Sequence, residues 1–170
     1  FVPDLQRHGI ATVNVSIDSL DPERYASVTR GGDLNAVLQT LDALIEAAIP
    51  TKVNMVVMAD VNTAEIIEMT TLAEKRPIQV RFIEEMPFNG SLDTPSTATT
   101  WTQHQILQQL KEAYPDMEPL GFSAHGTADN WRVPGFVGGL GIIAAHSRSF
   151  CGTCNRLRIT PQGTLKTCLY

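Results

Sequence analysis

Asp33-Leu-Asn-Ala-Val-Leu-Gln-Thr-Leu-Asp-Ala-Leu-Ile-Glu-Ala-Ala48, followed by Thr51-Lys-Val-Asn-Met-Val-Val-Met58, decides the fold class. In the first segment Leu34, Val37, Leu38, Leu41, Leu44, Ile45 and Ala48 recur with the 3.6-residue period of a helix that has one apolar face. Asp33 is placed to cap it, and Pro50 follows its end. The second segment is a strand, nearly continuous in apolar residues toward Met58, which predicts cover on both faces. Upstream, Thr12-Val-Asn-Val-Ser-Ile-Asp18 alternates and is rich in β-branched residues, so it is also a strand. Strand, helix, strand is the βαβ unit of a parallel sheet, open or closed into a barrel.

The pattern continues. Asn62 and Glu65 read as a capping pair for a helix running to about Lys75, and Ile78–Glu84 is a third strand. Asp21-Pro22-Glu23 starts a short helix, and Phe1–Gly9 is the tail of another. Pro87–Thr100 is rich in Ser, Thr, Pro and Gly and is a loop. Trp101–Tyr114 is a helix, Pro115–Gly126 is linker-like, and 131–136 and 138–145 are short strands. Gly138-Gly-Leu-Gly141 lacks the Lys-Ser/Thr and following helix of a phosphate loop. Sites in such sheets collect at the carboxyl ends of strands, where Ser16, Glu84 and Met86 fall. Lys52, Asn54, Arg81 and Glu84 supply polar side chains along otherwise apolar strands.

The 170 residues are ordinary globular composition, 43% hydrophobic and 18% charged. A net charge of −5 does not favour nucleic acid or an anionic membrane, so an anionic ligand needs a local basic cluster. No apolar run is long enough for a transmembrane helix, and no basic-then-apolar signal segment opens the chain. These features predict a cytoplasmic protein that binds neither membrane nor nucleic acid. The opening without Met and the stop at Tyr170 within a strand-like run predict a fragment of a longer protein.

All three cysteines lie in the last twenty residues, within Phe150-Cys-Gly-Thr-Cys-Asn-Arg-Leu-Arg-Ile159 and at Cys168. Strand alternation would put Cys154, Arg156 and Arg158 on one face, with Leu157 and Ile159 packing on the other. Pro161-Gln162-Gly163 is turn chemistry, so Thr164–Leu169 should return antiparallel and bring Cys168 toward Cys154. Three thiols can serve several ends. A disulfide would leave one over. Zinc wants four closed ligands, and His146 could complete a Cys3His set. An iron–sulfur cluster is also held by thiolates, and three leave one iron open. Spacing does not separate zinc from iron–sulfur.

The 150–158 motif, with Gly163 and Cys168, resembles the C-terminal cluster motif of the GTP 3′,8-cyclases, radical S-adenosylmethionine enzymes of molybdenum cofactor biosynthesis. Asn14-Val-Ser-Ile-Asp-Ser-Leu-Asp21 and Arg81-Phe-Ile-Glu-Glu-Met-Pro87 resemble two further signatures, in the family's order. The resemblance implies an α/β fold: a partial radical-SAM (βα) barrel over 1–95, then a smaller cluster- and GTP-binding region with a β-hairpin over 96–170. It implies a lyase that converts GTP to (8S)-3′,8-cyclo-7,8-dihydroguanosine 5′-triphosphate. Cys151, Cys154 and Cys168 would hold a [4Fe–4S] cluster. Lys52, Arg81, Arg156, Leu157 and Arg158 would bind GTP, and Ser16 and Met86 S-adenosylmethionine. A second [4Fe–4S] cluster, a homodimer and the next enzyme of the cofactor pathway are the further partners implied.

Three features depart from the family, one of them its C-terminal Gly-Gly tail, which is absent and expected downstream. The family's C-x3-C-x2-C, which holds the first cluster, is absent and expected upstream, so this chain alone should not cleave S-adenosylmethionine. Ala144-Ala-His-Ser147 also differs, and His146 keeps a non-catalytic Cys3His zinc domain as the alternative. Another radical enzyme, with an auxiliary cluster and a different substrate, is a third reading.

Overall fold

The computed structural model describes residues 1–86, 100–122, 127–147 and 157–166. Its centre is a six-stranded sheet in the order β1-β2-β3-β6-β5-β4. Strands β1 (Val13–Ser16), β2 (Thr51–Val57), β3 (Gln79–Glu84) and β6 (Gly139–Ile143) run parallel. β5 (Asp129–Arg132) and β4 (Glu118–Phe122) add an antiparallel edge.

The helices are α1 (Val2–Arg7), α2 (Pro22–Val28), α3 (Leu34–Glu46), α4 (Ile66–Lys75) and α5 (Gln103–Ala113). Asp33 caps α3 as its side chain accepts from the Asn35 and Ala36 amides at 2.9 and 3.2 Å. Asp21 does the same for α2 through the Arg24 amide at 2.7 Å.

One face of the sheet makes the core. Val53, Met55, Val57, Val80, Phe82, Leu140 and Ile142 are buried together with Leu34 and Leu41 of α3, Met69 and Leu72 of α4, and Ile106 and Leu110 of α5. Each such large apolar side chain removed from water contributes about 1.5–3 kcal/mol.

Four sequence expectations change. Burial alternates strictly along β2, so the strand is closed on one face and half-open on the other. Asn62 and Glu65 are not a capping pair: neither side chain caps the helix start there. The capping box sits at Thr102 and Gln105, at the start of α5. The linker-like 115–126 contains β4, whose Pro119 is tolerated because the strand is an edge and its register shifts between Pro119 and Gly121.

Near the C-terminus, β7 (Arg158–Ile159) pairs antiparallel with β8 (Leu165–Lys166). The turn is the one the sequence predicts: Gly163 has φ +78° and donates its amide to the Thr160 carbonyl at 2.9 Å. The fourth change is here. Leu157, Ile159 and Leu165 do not pack; they are 64%, 76% and 59% exposed.

Gly138 explains the glycine-rich entry to β6. A Cβ there would lie 2.1 Å from the Ile78 carbonyl oxygen and 2.7 Å from that of Arg76. Its amide donates to the Ala73 carbonyl at 2.8 Å, so the run pins β6 to the end of α4.

Candidate functional site

The face of the sheet away from the core is polar. Register fixes which side chains share it, because directly paired residues in neighbouring strands point the same way. Ser16 pairs with Asn54, Asn54 with Arg81, Arg81 with Gly141, and Gly141 with Asn130. One step toward the strand starts, Asn14 pairs with Lys52, Lys52 with Gln79, and Gln79 with Gly139. Asn14 and Ser16 are exposed, while Lys52, Asn54, Gln79, Arg81 and Asn130 are half-buried. A mostly parallel sheet is ordinarily covered by apolar contacts on both faces. A row of amides, a hydroxyl and two cations is the chemistry of a ligand-binding face.

Two observations sharpen this. Lys52 and Arg81 lie close enough that Lys52 is held below the ordinary lysine value, first by burial and then by the Arg81 charge. Among the described residues no ion pair joins Lys52 to a carboxylate. The Asn54 Oδ1 atom is buried and has no hydrogen-bond partner among the described residues. A buried acceptor left unmatched costs about 1–3 kcal/mol. A ligand that donates to Asn54 Oδ1 and carries negative charge for Lys52 relieves both penalties.

The carboxyl ends of the strands are held by buried carboxylates. Glu65 accepts from the Ser19 hydroxyl at 2.7 Å and the Leu20 amide at 2.8 Å, and pairs with Arg24. Burial alone would push Glu65 up, but these donors together outweigh it and hold it below the ordinary carboxylate value. Asn62 accepts from the Met58 amide and donates to the carbonyls of Asp18 and Val56. Asp18 accepts the Val56 amide at 2.8 Å, yet burial dominates and raises its carboxyl.

Glu84, one of the strand-end polar residues in the sequence, belongs to the opposite face. It is buried on the core side, alternating with Arg81 and Ile83. Its carboxylate accepts the amides of His146 and Ser147 at 2.7 and 2.6 Å, together with the Gln103 amide and Ser147 hydroxyl. Burial pushes this carboxyl up, and the four donors more than reverse it. Glu84 is a structural tie rather than a ligand group.

The structure thus places Ser16, Lys52 and Arg81 on one face, with Asn54 among them. Met86, half-buried, lies just past the end of β3. Leu157 is exposed on the approach to the hairpin. Cys151, Cys154, Cys168 and Arg156 lie outside the described residues, as does the Arg158 side chain. His146 is exposed, and among the described residues no group of three or more His, Cys, Asp or Glu could hold a metal. Also among the described residues, no helix is long and apolar enough to cross a membrane. Sequence reading passed over Gln79 and Asn130. Gln79 was legible, since it stands two residues before Arg81 and so shares its face; Asn130 was not, because only the pairing of β5 with β6 brings it there.

Comparison with known proteins gives two family matches. Residues 78–170 match the family described as Molybdenum Cofactor Synthesis C, and residues 1–73 match the Radical SAM superfamily. The chain is 37% identical over 170 residues to "Molybdenum cofactor biosynthesis protein 1" of Bos taurus, and 36% identical to the protein of that name in Homo sapiens. In both, the match covers 99% of this chain and 26% of the relative. It is 36% identical over 169 residues to "GTP 3',8-cyclase" of Alkaliphilus oremlandii, covering 98% of this chain and 51% of that protein. The chain therefore spans from about a quarter to about half the length of these relatives.

Proposed function

The chain belongs to the Molybdenum Cofactor Synthesis C family, and from that premise we propose that it is part of a GTP 3′,8-cyclase acting in molybdenum cofactor biosynthesis. Residues 1–95 form part of a radical-SAM (βα) barrel, and residues 96–170 carry the second cluster and most of the GTP contacts. The observation that carries this reading is the pair Lys52 and Arg81, two cations side by side on the open polar face.

In this reading Lys52 and Arg81 bind the anionic part of GTP. Arg156 and Arg158 contribute guanidinium forks, which suit phosphate oxygens in pairs, and the exposed Leu157 between them in sequence also lines the GTP site. Asn54 Oδ1, buried and unmatched, takes a donor from the bound ligands. Ser16 and Met86 contact S-adenosylmethionine at the carboxyl ends of β1 and β3. Cys151, Cys154 and Cys168 fit a [4Fe–4S] cluster by the chemistry of the donor set, three soft thiolates that leave one iron open to substrate. S-adenosylmethionine and a further reducing cluster supply the radical chemistry when bound. The task of this chain's residues is to hold GTP in one pose so that a single carbon is presented to that chemistry.

The test is metal and nucleotide binding. Anaerobic reconstitution of this chain with iron and sulfide should give a brown protein with about four iron per chain. Cys151→Ser, Cys154→Ser or Cys168→Ser should abolish it. Stoichiometric zinc without iron uptake would overturn the cluster assignment in favour of a structural zinc domain. In the full-length enzyme, Lys52→Ala and Arg81→Ala should each weaken GTP about tenfold, the loss of one charge-assisted contact.

A further inference from the structure

A chain of side-chain hydrogen bonds starts along β3 and then crosses the polar face to β5 and β4. Arg81 Nε donates to Gln79 Oε1 at 2.8 Å. Gln79 Nε2 donates to Asn130 Oδ1 at 2.5 Å, and Asn130 Nδ2 donates to the Gly121 carbonyl at 3.0 Å. Gln79 and Arg81 belong to β3, Asn130 to β5 and Gly121 to the irregular part of β4, so the chain passes over β6. It can do so because the residue beneath is Gly141. A Cβ there would lie 3.3 Å from Arg81 Cγ and 3.4 Å from Gln79 Nε2.

We propose that Gln79 and Asn130 are positioning residues for nucleotide binding, a clamp that fixes the Arg81 guanidinium before the anion arrives. The proposal rests on the reading of Arg81 as a GTP ligand. Its physical basis is conformational. Arginine carries large rotamer freedom, and the part already lost in the free protein is not lost again on binding. The Nε bond to Gln79 also sets the plane of the guanidinium and leaves its terminal nitrogens pointing away from that bond. The antiparallel edge of the sheet, remote from the strand ends, thereby sets nucleotide affinity.

The experiment uses the full-length enzyme with both clusters loaded and measures GTP affinity by anaerobic equilibrium dialysis. Gln79→Ala and Asn130→Ala should each weaken GTP by about three- to tenfold, the cost of ordering one long side chain. Iron content and melting temperature should barely move. Gln79→Glu keeps an acceptor for Arg81 Nε but loses the donor to Asn130 and adds a negative charge beside the cations, so it should weaken GTP at least as much as Gln79→Ala. The decisive arm is the Gln79→Ala, Arg81→Ala double variant, in which the Gln79 effect should vanish because the group it positions is gone. An undiminished Gln79 effect in that background, or none in the single variants while Arg81→Ala weakens GTP, overturns the clamp alone. Unchanged affinity in Arg81→Ala overturns the ligand role of Arg81 and the clamp with it.

Discussion

Glu84, the last residue of β3, accepts the backbone N–H of Ser147 at 2.6 Å, and so joins the carboxyl end of one central strand to the segment that follows another. The Ser147 hydroxyl and the amides of His146 and Gln103 converge on the same carboxylate. Ser147 stands four residues before Cys151 in the sequence, so this buried charge anchors the approach to the cysteine motif.

Removing that anchor should be costly. Glu84→Ala leaves the part-buried amides of Gln103, His146 and Ser147 and the Ser147 hydroxyl without their acceptor, and is expected to lower unfolding free energy by about 1–3 kcal/mol. Denaturant titration of the full-length protein measures it. A loss below about 1 kcal/mol would show that water replaces the carboxylate freely.

The same residue sets an acid limit. Glu84 and Glu65 both have folded-state values held below the ordinary 4.5. Their contribution to stability is therefore complete above pH 4.5 and is lost as pH falls through the lowered folded-state values. Stability should fall with acid below about pH 4.5. Glu84→Gln and Glu65→Gln should each flatten that slope, as read from denaturation midpoints across the acid range.

At the alkaline end the sign reverses, and binding is the readout. Lys52 titrates below 10.5 in the free protein because burial and Arg81 disfavour its charge. An anion favours the charged form. GTP affinity should decline as pH rises through the lowered Lys52 value, and proton uptake should accompany binding there. Lys52→Arg, which stays charged, should remove this decline.

Gly138→Ala tests the packing at the start of β6. Its Cβ would meet backbone oxygen at 2.1 Å, and neither Ile78 nor Arg76 can swing a backbone carbonyl aside cheaply. A loss of about 2–3 kcal/mol is expected. Gly139→Ala, where the nearest contact is the Trp131 carbonyl oxygen at 3.5 Å, should cost less.

Ile159→Ser addresses the hairpin. At 76% exposure the side chain contributes little to folding, so stability should change by no more than about 0.5 kcal/mol. A larger loss would reveal a contact of Ile159 that the described residues do not make.

Much of this was written in local chemistry. The spacing of Leu34, Leu41 and Leu44, the Asp33 cap and the Pro161–Gly163 turn act over a few residues, so the sequence alone determined helix α3, its start, and the reversal between β7 and β8. Alternation along Gln79–Glu84 likewise determined that Gln79 and Arg81 share a face. Other features depend on which strands become neighbours. That Ser16, Asn54 and Arg81 stand in one row, that Asn130 reaches Gln79 across Gly141, and that Glu65 serves Ser19 rather than a helix cap were decided by tertiary structure. A side chain's local options are nearly equal in energy. The partner it finds is chosen by the burial of the core face, which fixes register and leaves each polar group to satisfy itself with whatever that register brings near.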